Sequence, residues 1–147
     1  MAKFHRVPYS NIIIDEDGIG GGVVDFIKGS KGFINNSTPV ETEYTRKIHN
    51  YRNLKTQCYF KLADIVHKGD IGIYDVPEEI KGLIIEDLEQ IKVQTPTTTD
   101  KVLKEGKIDV ITKEKIYESL GRSPDFGDAL MMRCYFDLKN YYKPYIA

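Results

Sequence analysis

Two acidic segments, far apart in the chain, hold the side chains best suited to chemistry. Asp15 directly follows the apolar run 12–14 and opens the acidic triplet 15–17. Asp125 and Asp128 stand three residues apart, a spacing that puts both on one face in the first turn of a helix. Carboxylates are the ligands that Mg²⁺ and Mn²⁺ prefer. Zinc is not indicated, because no cysteines and histidines cluster with ligand spacing.

The first segment lies where a buried strand meets a glycine-rich turn. In α/β folds a side chain at such a strand end faces a cleft, which makes Asp15 a candidate metal ligand. The alternative is that Asp15, Glu16 and Asp17 only cap the turn or the helix after it, and the local pattern leaves both interpretations open. A phosphate-binding loop is disfavoured, because Val23 follows the glycines where Lys is needed, and because three acids repel phosphate.

The second segment has the features of a helix start. The small residues Gly127 and Ala129 leave room for this helix end to approach another element closely. Carboxylates from Asp125 and Asp128 that meet one from a strand end would suit a divalent cation. The structural alternative is that acids at a helix start are stabilised by the positive end of the helix dipole.

Other polar side chains give weaker signals. The histidines are separated along the chain and are interpreted as surface residues (His5, His49 and His67). Basic residues interleave with tyrosines at the start of a long amphipathic helix, where they either contact phosphate or form a solvated face. The basic residues are Arg46, Lys47, His49, Arg52 and Lys55, and the tyrosines are Tyr44, Tyr51 and Tyr59.

Composition predicts an ordinary globular domain. The 147 residues suffice for one domain with a core, and 41% apolar with 29% charged residues argues against disorder. The 21 basic and 22 acidic residues nearly cancel, so bulk charge gives no evidence for nucleic-acid binding. Cys58 and Cys134 lie in amphipathic patterns, which predicts reduced core thiols. No secretory signal and no membrane-spanning run of roughly 20 apolar residues occurs, so we expect a soluble, cytoplasmic protein.

Hydrophobic patterning predicts an α/β domain. A strand at 12–14, a helix at 23–27 ending at Gly29 and a strand at 32–35 would form a right-handed β-α-β unit. Further elements are a loop at 36–48, a helix at 51–67 stopped by Gly69, a helix from Pro77 through Ile91, a loop at 94–100, a hairpin of 101–103 with 108–111, a short helix at 115–120 ending at Gly121, and a last helix with Ser123 as N-cap and Pro124 as first residue.

Three stretches resemble the nuclease domain of phage terminase large subunits. Residues 12–25 resemble its second acidic motif, running from Ile-Ile-Ile-Asp-Glu-Asp through the glycines to Val-Val-Asp. Residues 50–59, Asn-Tyr-Arg-Asn-Leu-Lys-Thr-Gln-Cys-Tyr, resemble the helix after that motif. Residues 121–130, Gly-Arg-Ser-Pro-Asp-Phe-Gly-Asp-Ala-Leu, resemble its third acidic motif. In order and spacing the resemblance spans about residues 10 to 138.

The resemblance implies an RNase H-like fold, with a mixed central sheet flanked by helices, and a DNA endonuclease that uses two Mg²⁺ or Mn²⁺ ions. It implies that Asp15 is catalytic and binds metal together with Asp125 or Asp128. Family members vary in which positions of that later segment bind metal. The family has a further Asp on an earlier strand, but only 14 residues precede Asp15. We therefore expect residues 1–147 to be one carboxy-terminal nuclease portion that lacks the first strands and the ATPase domain, and to be a poor nuclease alone.

The partners implied by the resemblance are double-stranded DNA, the terminase small subunit and the portal protein, in the cytoplasm of a bacterial host and without membrane contact. An exposed sheet edge would permit self-association. The alternative from another class is a non-catalytic domain of the same fold that binds DNA or a protein partner. A nucleotide-binding α/β protein is a weaker third hypothesis.

Overall fold

A computed structural model describes residues 6–17, 20–41, 50–94 and 106–139. In chain order the described elements are a short 3₁₀ turn (Tyr9–Asn11), β1 (Ile13–Asp15), α1 (Gly20–Phe26), β2 (Lys31–Phe33), α2 (Leu54–Lys68), α3 (Glu78–Glu89), α4 (Lys113–Leu120) and α5 (Asp125–Lys139). None of the helices in these ranges is long and apolar enough to cross a membrane.

The predicted β-α-β unit is present. Strands β1 and β2 pair in parallel, with Ile13 opposite Lys31 and Asp15 opposite Phe33, and α1 connects them. The strand boundaries differ slightly from those predicted, because β1 includes Asp15 as its last residue and β2 ends at Phe33. Asn35 therefore lies just beyond the end of β2. Since the strands are parallel, Asp15 and Asn35 share the carboxyl edge of the sheet.

The two faces of this sheet are distinguished by their side chains. Phe33 is fully buried, and its ring meets Tyr135 of α5 edge-on at 6.1 Å between ring centroids. Cross-strand neighbours project to the same face, so Asp15 lies on the face that packs against α5. Glu16 projects to the opposite face, where its carboxylate lies over Gly32 in the space that a side chain at position 32 would take.

Helices α2 and α5 form the main packing layer. Asn53 caps α2 by accepting the amide of Thr56 at 2.9 Å, and Gly69 ends the helix in a left-handed conformation (φ 71°), as predicted. Cys58 and Cys134 are buried free thiols in the core, which confirms that prediction. The buried residues of this core are Phe33, Leu54, Cys58, Tyr59, Leu62, Ile65, Val110, Met131 and Cys134.

The segment 108–111 joins two other parts of the chain. Ile108 bridges Tyr51 in parallel, and Val110 bridges Val93 in antiparallel orientation. These bridges bring parallel and antiparallel pairing together, as expected of a mixed α/β fold. The predicted hairpin partner at 101–103 lies outside the described residues, as do much of the predicted loop at 36–48 and all but one residue of the loop at 94–100.

The remaining helix ends test the start and stop signals. Gly121 ends α4 with a φ of 70°, as predicted. Helix α3 begins after Pro77 but ends at Glu89, before the predicted Ile91. The prediction for α5 was one residue early: the carbonyl of Pro124 accepts the amide of Asp128 at 2.9 Å, so Pro124 occupies the cap position. Proline has no side-chain acceptor, and another element must therefore cap α5.

Candidate metal centre

The carboxyl edge of the sheet gathers two acids and an amide. Asp15 Oδ1 accepts the backbone amide of Asp17 at 3.1 Å. The Asn35 side-chain nitrogen donates to Asp17 Oδ2 at 2.7 Å and, at the longer distance of 3.4 Å, to Asp15 Oδ1. The backbone amide of Asn35 also donates to Asp17 Oδ2 at 3.0 Å. The sequence-predicted triplet is thus divided, since Asp15 and Asp17 come together and Glu16 projects away over Gly32.

Asp15 remains exposed at this edge. The carboxylates of Asp15 and Asp17 carry like charges, and the Asn35 nitrogen that contacts both is neutral. A cation placed between two carboxylates offsets their repulsion more strongly than an amide does, because its full charge interacts with each oxygen. The edge therefore presents carboxylate oxygens suited to a hard divalent ion, and no positively charged side chain within the described ranges contacts them.

The helix-start acid Asp128 has different surroundings. Its Oδ1 accepts the Tyr59 hydroxyl at 2.7 Å and lies 3.2 Å from the Lys55 ammonium, and its Oδ2 lies 3.5 Å from that of Lys113. The side chain is only 17% exposed. Burial, and after it the Asp128 carboxylate, raises the pKa of Tyr59, so this hydroxyl stays protonated and donates.

The structure separates the two acids that the sequence left as alternatives. Asp125 is exposed at the first position of α5, and its side chain makes no hydrogen bond or ion pair within the described ranges. Asp128 faces α2 and α4, where Tyr59, Lys55 and Lys113 hold its carboxylate in place. Asp128 is thus held in a fixed position by three partners, whereas Asp125 is accessible to solvent.

The basic segment is largely engaged with acids where it is described. Arg52 donates to buried Asp109 at 2.8 Å, and the Thr56 hydroxyl donates to the other oxygen of Asp109 at 2.7 Å. Lys55 is engaged with Asp128. Arg46, Lys47 and His49 lie outside the described residues, while His67 is exposed, as expected.

Sequence reasoning missed several residues around these sites. Asn35 had a usable signal, because a polar residue just after one parallel strand lies beside the end of its neighbour. Lys113 and Asp87 had none: Lys113 follows an ordinary helix cap, and Asp87 lies in the last turns of an amphipathic helix. Their positions depend on how α3 and α4 pack against α5.

In the described ranges, no three His, Cys, Asp or Glu side chains gather closely enough to hold a metal ion. The convergence of Asp15 with Asp125 or Asp128 stays a prediction. The placement of Asp15 on the α5-facing side of the sheet is compatible with it, since α5 also carries both other acids.

The β-α-β unit packed on the helix pair matches the fold of a phage terminase large-subunit nuclease domain, an RNase H-like fold. The predictions of fold class and resemblance are thereby confirmed. No family model and no curated relative matches the chain by sequence.

Three solved structures of one phage protein show this likeness. The nuclease domain of the large terminase subunit gp2 of bacterial virus Sf6 superposes with a TM-score of 0.60 at 24% identity, covering 83% of this chain and 63% of that one. A lysine-to-alanine mutant of that domain with manganese superposes with a TM-score of 0.62 at 24% identity, covering 83% of this chain and 64% of that one. The mutant with calcium has a TM-score of 0.61 at 24% identity, with coverage of 83% and 63%. The chain thus spans slightly less than two thirds of these neighbours. At this identity the likeness establishes the fold.

Proposed function

We propose that this chain supplies carboxylate ligands to the metal site of a DNA endonuclease of the terminase type. The observation that carries the proposal is the placement of Asp15, with Asp17 and Asn35, at the carboxyl edge of the sheet and on the face toward α5. The neighbours' structures with manganese and calcium support a divalent ion as the cofactor. Mg²⁺ or Mn²⁺ is the physiological choice that oxygen ligands favour.

The residues fit such an ion by ligand chemistry. Asp15 and Asp17 would hold it from the sheet, and Asp128, with Asp125 at the rim, would hold it from α5. When bound, the metal would activate a water and stabilise the leaving oxygen of the DNA backbone. Lys55 and Lys113 would then be released from Asp128 and become donors to the phosphates of double-stranded DNA.

The isolated chain is expected to bind metal weakly and to cut poorly. A hard divalent ion is held by several oxygens at once. The described residues bring only two carboxylates together at the sheet edge, and Asp128 is engaged by two ammonium groups. The binding of the terminase small subunit and the portal, and the organisation of residues 1–147 as one nuclease domain, stay predictions.

Nicking of supercoiled plasmid with Mn²⁺ tests the proposal. Asp15→Ala should abolish any Mn²⁺-dependent nicking, and Asp25→Ala is the matched control, because Asp25 is an exposed acid on α1. Equal nicking by the chain and by Asp15→Ala would contradict the proposed site. The chain's nicking should also stop in EDTA.

A non-catalytic DNA-binding domain is the second candidate. The observation that favours it is the neutralisation of Asp128 by Lys55 and Lys113. Each oxygen of this carboxylate already lies beside an ammonium group, where a metal ion would otherwise bind. A binding module would shift DNA in a gel without metal and would show no Mn²⁺-dependent nicking at any concentration of protein. A nuclease would respond to Mn²⁺ in both assays.

A further inference from the structure

The start of α5 is capped from another helix. The backbone amides of Phe126 and Gly127 each donate to Asp87 Oδ2 at 3.0 Å, across from α3. Pro124, at the cap position, offers no side-chain acceptor for these amides. Gly127 allows the approach, because a Cβ there would lie 3.2 Å from the Cβ of Asp87, closer than ordinary contact. Asp87 thus replaces the missing cap.

Asp87 is a fully buried carboxylate whose two oxygens are both engaged. Its relative exposure is 0%, and its Oδ1 accepts Nη1 of Arg122. The other terminal nitrogen of Arg122 pairs with Glu86 at 3.0 Å. Two acids therefore share one arginine, and the network beside the start of α5 carries one excess negative charge.

A neutral side chain would satisfy these amides without burying a charge. Serine, threonine and asparagine accept the same hydrogen bonds, whereas a buried carboxylate requires a partner such as Arg122 to offset its desolvation. What the carboxylate adds is charge. A bare helix start carries about half a positive charge and favours anions, so it opposes a cation held by acids in the first turn.

We infer that Asp87 is a positioning residue for the metal site on α5. It fixes the first turn that presents Asp125 and Asp128, and its charge makes an otherwise anion-favouring helix start compatible with a divalent cation. This inference rests on the proposed function, since it assumes that α5 contributes metal ligands.

The test compares Mn²⁺ affinities of the full chain and two variants by electron paramagnetic resonance, at a temperature where all are folded. Asp87→Asn keeps the shape and one acceptor oxygen but removes the charge. Glu86→Gln is the matched control, because it removes one charge from the same arginine without touching α5. Asp87→Asn should weaken Mn²⁺ binding about five- to tenfold and Glu86→Gln less than about twofold, because Glu86 is exposed and screened.

A third variant covers the case in which Asp87→Asn does not fold. Asp87→Ser is a smaller neutral replacement whose hydroxyl accepts from the same amides, and it leaves Arg122 paired with Glu86, so Mn²⁺ should again bind about five- to tenfold more weakly. A merely structural cap predicts unchanged binding.

Unchanged Mn²⁺ affinity in a folded but less heat-stable Asp87→Asn variant would overturn the positioning role and leave the proposed function intact. If Asp87→Asn does not fold, unchanged Mn²⁺ affinity of Asp87→Ser overturns it in the same way. Absence of Mn²⁺ binding by the unaltered chain would overturn the proposed function, and this inference with it.

Discussion

The acids at the sheet edge and the acid at the start of α5 differ in exposure and in the charge of the side chains that contact them. At the sheet edge, Asp15 and Asp17 are exposed and share the neutral amide of Asn35. At the helix, Asp128 is mostly buried and is held by Lys55, Lys113 and the Tyr59 hydroxyl. Two ammonium groups thus already occupy the carboxylate of Asp128, whereas within the described ranges no ammonium group contacts Asp15 or Asp17.

This comparison suggests an order of assembly. We expect the sheet edge to bind an ion first, because no positively charged side chain of the described residues contacts Asp15 or Asp17. An ion bound there would weaken the hold of Lys55 and Lys113 on Asp128, since like charges repel. The layer that joins the two regions runs through Phe33 of β2 and Tyr135 of α5.

The largest expected effect comes from breaking that joining layer. Phe33→Ala removes a fully buried ring between the sheet and α5, and should lower the free energy of unfolding by about 3–5 kcal/mol. Phe26→Ala is the control, because Phe26 is 91% exposed on α1 and its loss should change stability by less than about 0.5 kcal/mol. Urea unfolding followed by circular dichroism measures both. Similar losses in the two variants would mean that the layers are not joined through Phe33.

A third acid at the sheet edge should strengthen Mn²⁺ binding there. Asn35→Asp replaces the amide that holds Asp15 and Asp17 with a carboxylate, and should tighten Mn²⁺ binding about tenfold while lowering stability without metal. Asn36→Asp adds the same charge one residue away and should have a much smaller effect. Isothermal titration calorimetry compares them. Equal gains in the two variants would indicate a diffuse charge effect instead of a defined ligand position.

Removal of one lysine beside Asp128 should strengthen Mn²⁺ binding at the start of α5. Lys55→Met frees Oδ1 of Asp128 from an ammonium group 3.2 Å away, and should tighten Mn²⁺ binding about fivefold. Lys61→Met is the matched control, because Lys61 lies on the same helix but pairs with Asp64. If Lys55→Met weakens Mn²⁺ binding instead, the lysine supports the ion site and does not compete with it.

The last expected effect is a pH dependence of the stability of the α2–α5 layer. Burial raises the pKa of the Cys134 thiol from 9.0 to about 11. The unfolded chain therefore loses this proton at lower pH than the folded one, so the stability contribution is complete below pH 9 and is lost as pH rises toward 11. The urea midpoint should fall across this range, and less so in Cys134→Ala. An identical fall in both would assign the effect to other groups.

The features of the fold that were predictable from the sequence depend on local residue chemistry. Gly69 and Gly121 stop helices because they adopt left-handed conformations without steric cost. Cys58 and Cys134 follow the apolar period of their helices into the core. The apolar run 12–14 that leads into Asp15, and Phe33 with Ile34 after Gly32, likewise indicate the two parallel strands. These features depend on residues close in sequence.

The site was only partly predictable, because its contacts cross between elements. Asp15 and Asp128 carry local signals, but the partners of Asp128 come from α2 and α4. The start of α5 was predicted one residue early for the same reason. Ser123 and Pro124 form an ordinary local start signal, yet the cap is supplied by Asp87 of α3. A helix cap that another helix supplies through tertiary packing cannot be predicted from the local sequence pattern.

The central claim, that the sheet edge and the start of α5 form one metal site, is tested most directly by Mn²⁺ titration followed by nuclear magnetic resonance. Bound Mn²⁺ should broaden the Asn35 side-chain amide and the backbone amides of residues 127–130 at the same metal concentration. Asp15→Ala should abolish both effects together, and Asp25→Ala should abolish neither. Broadening at only one region, or loss at the sheet edge with unchanged broadening at α5, would contradict a single site.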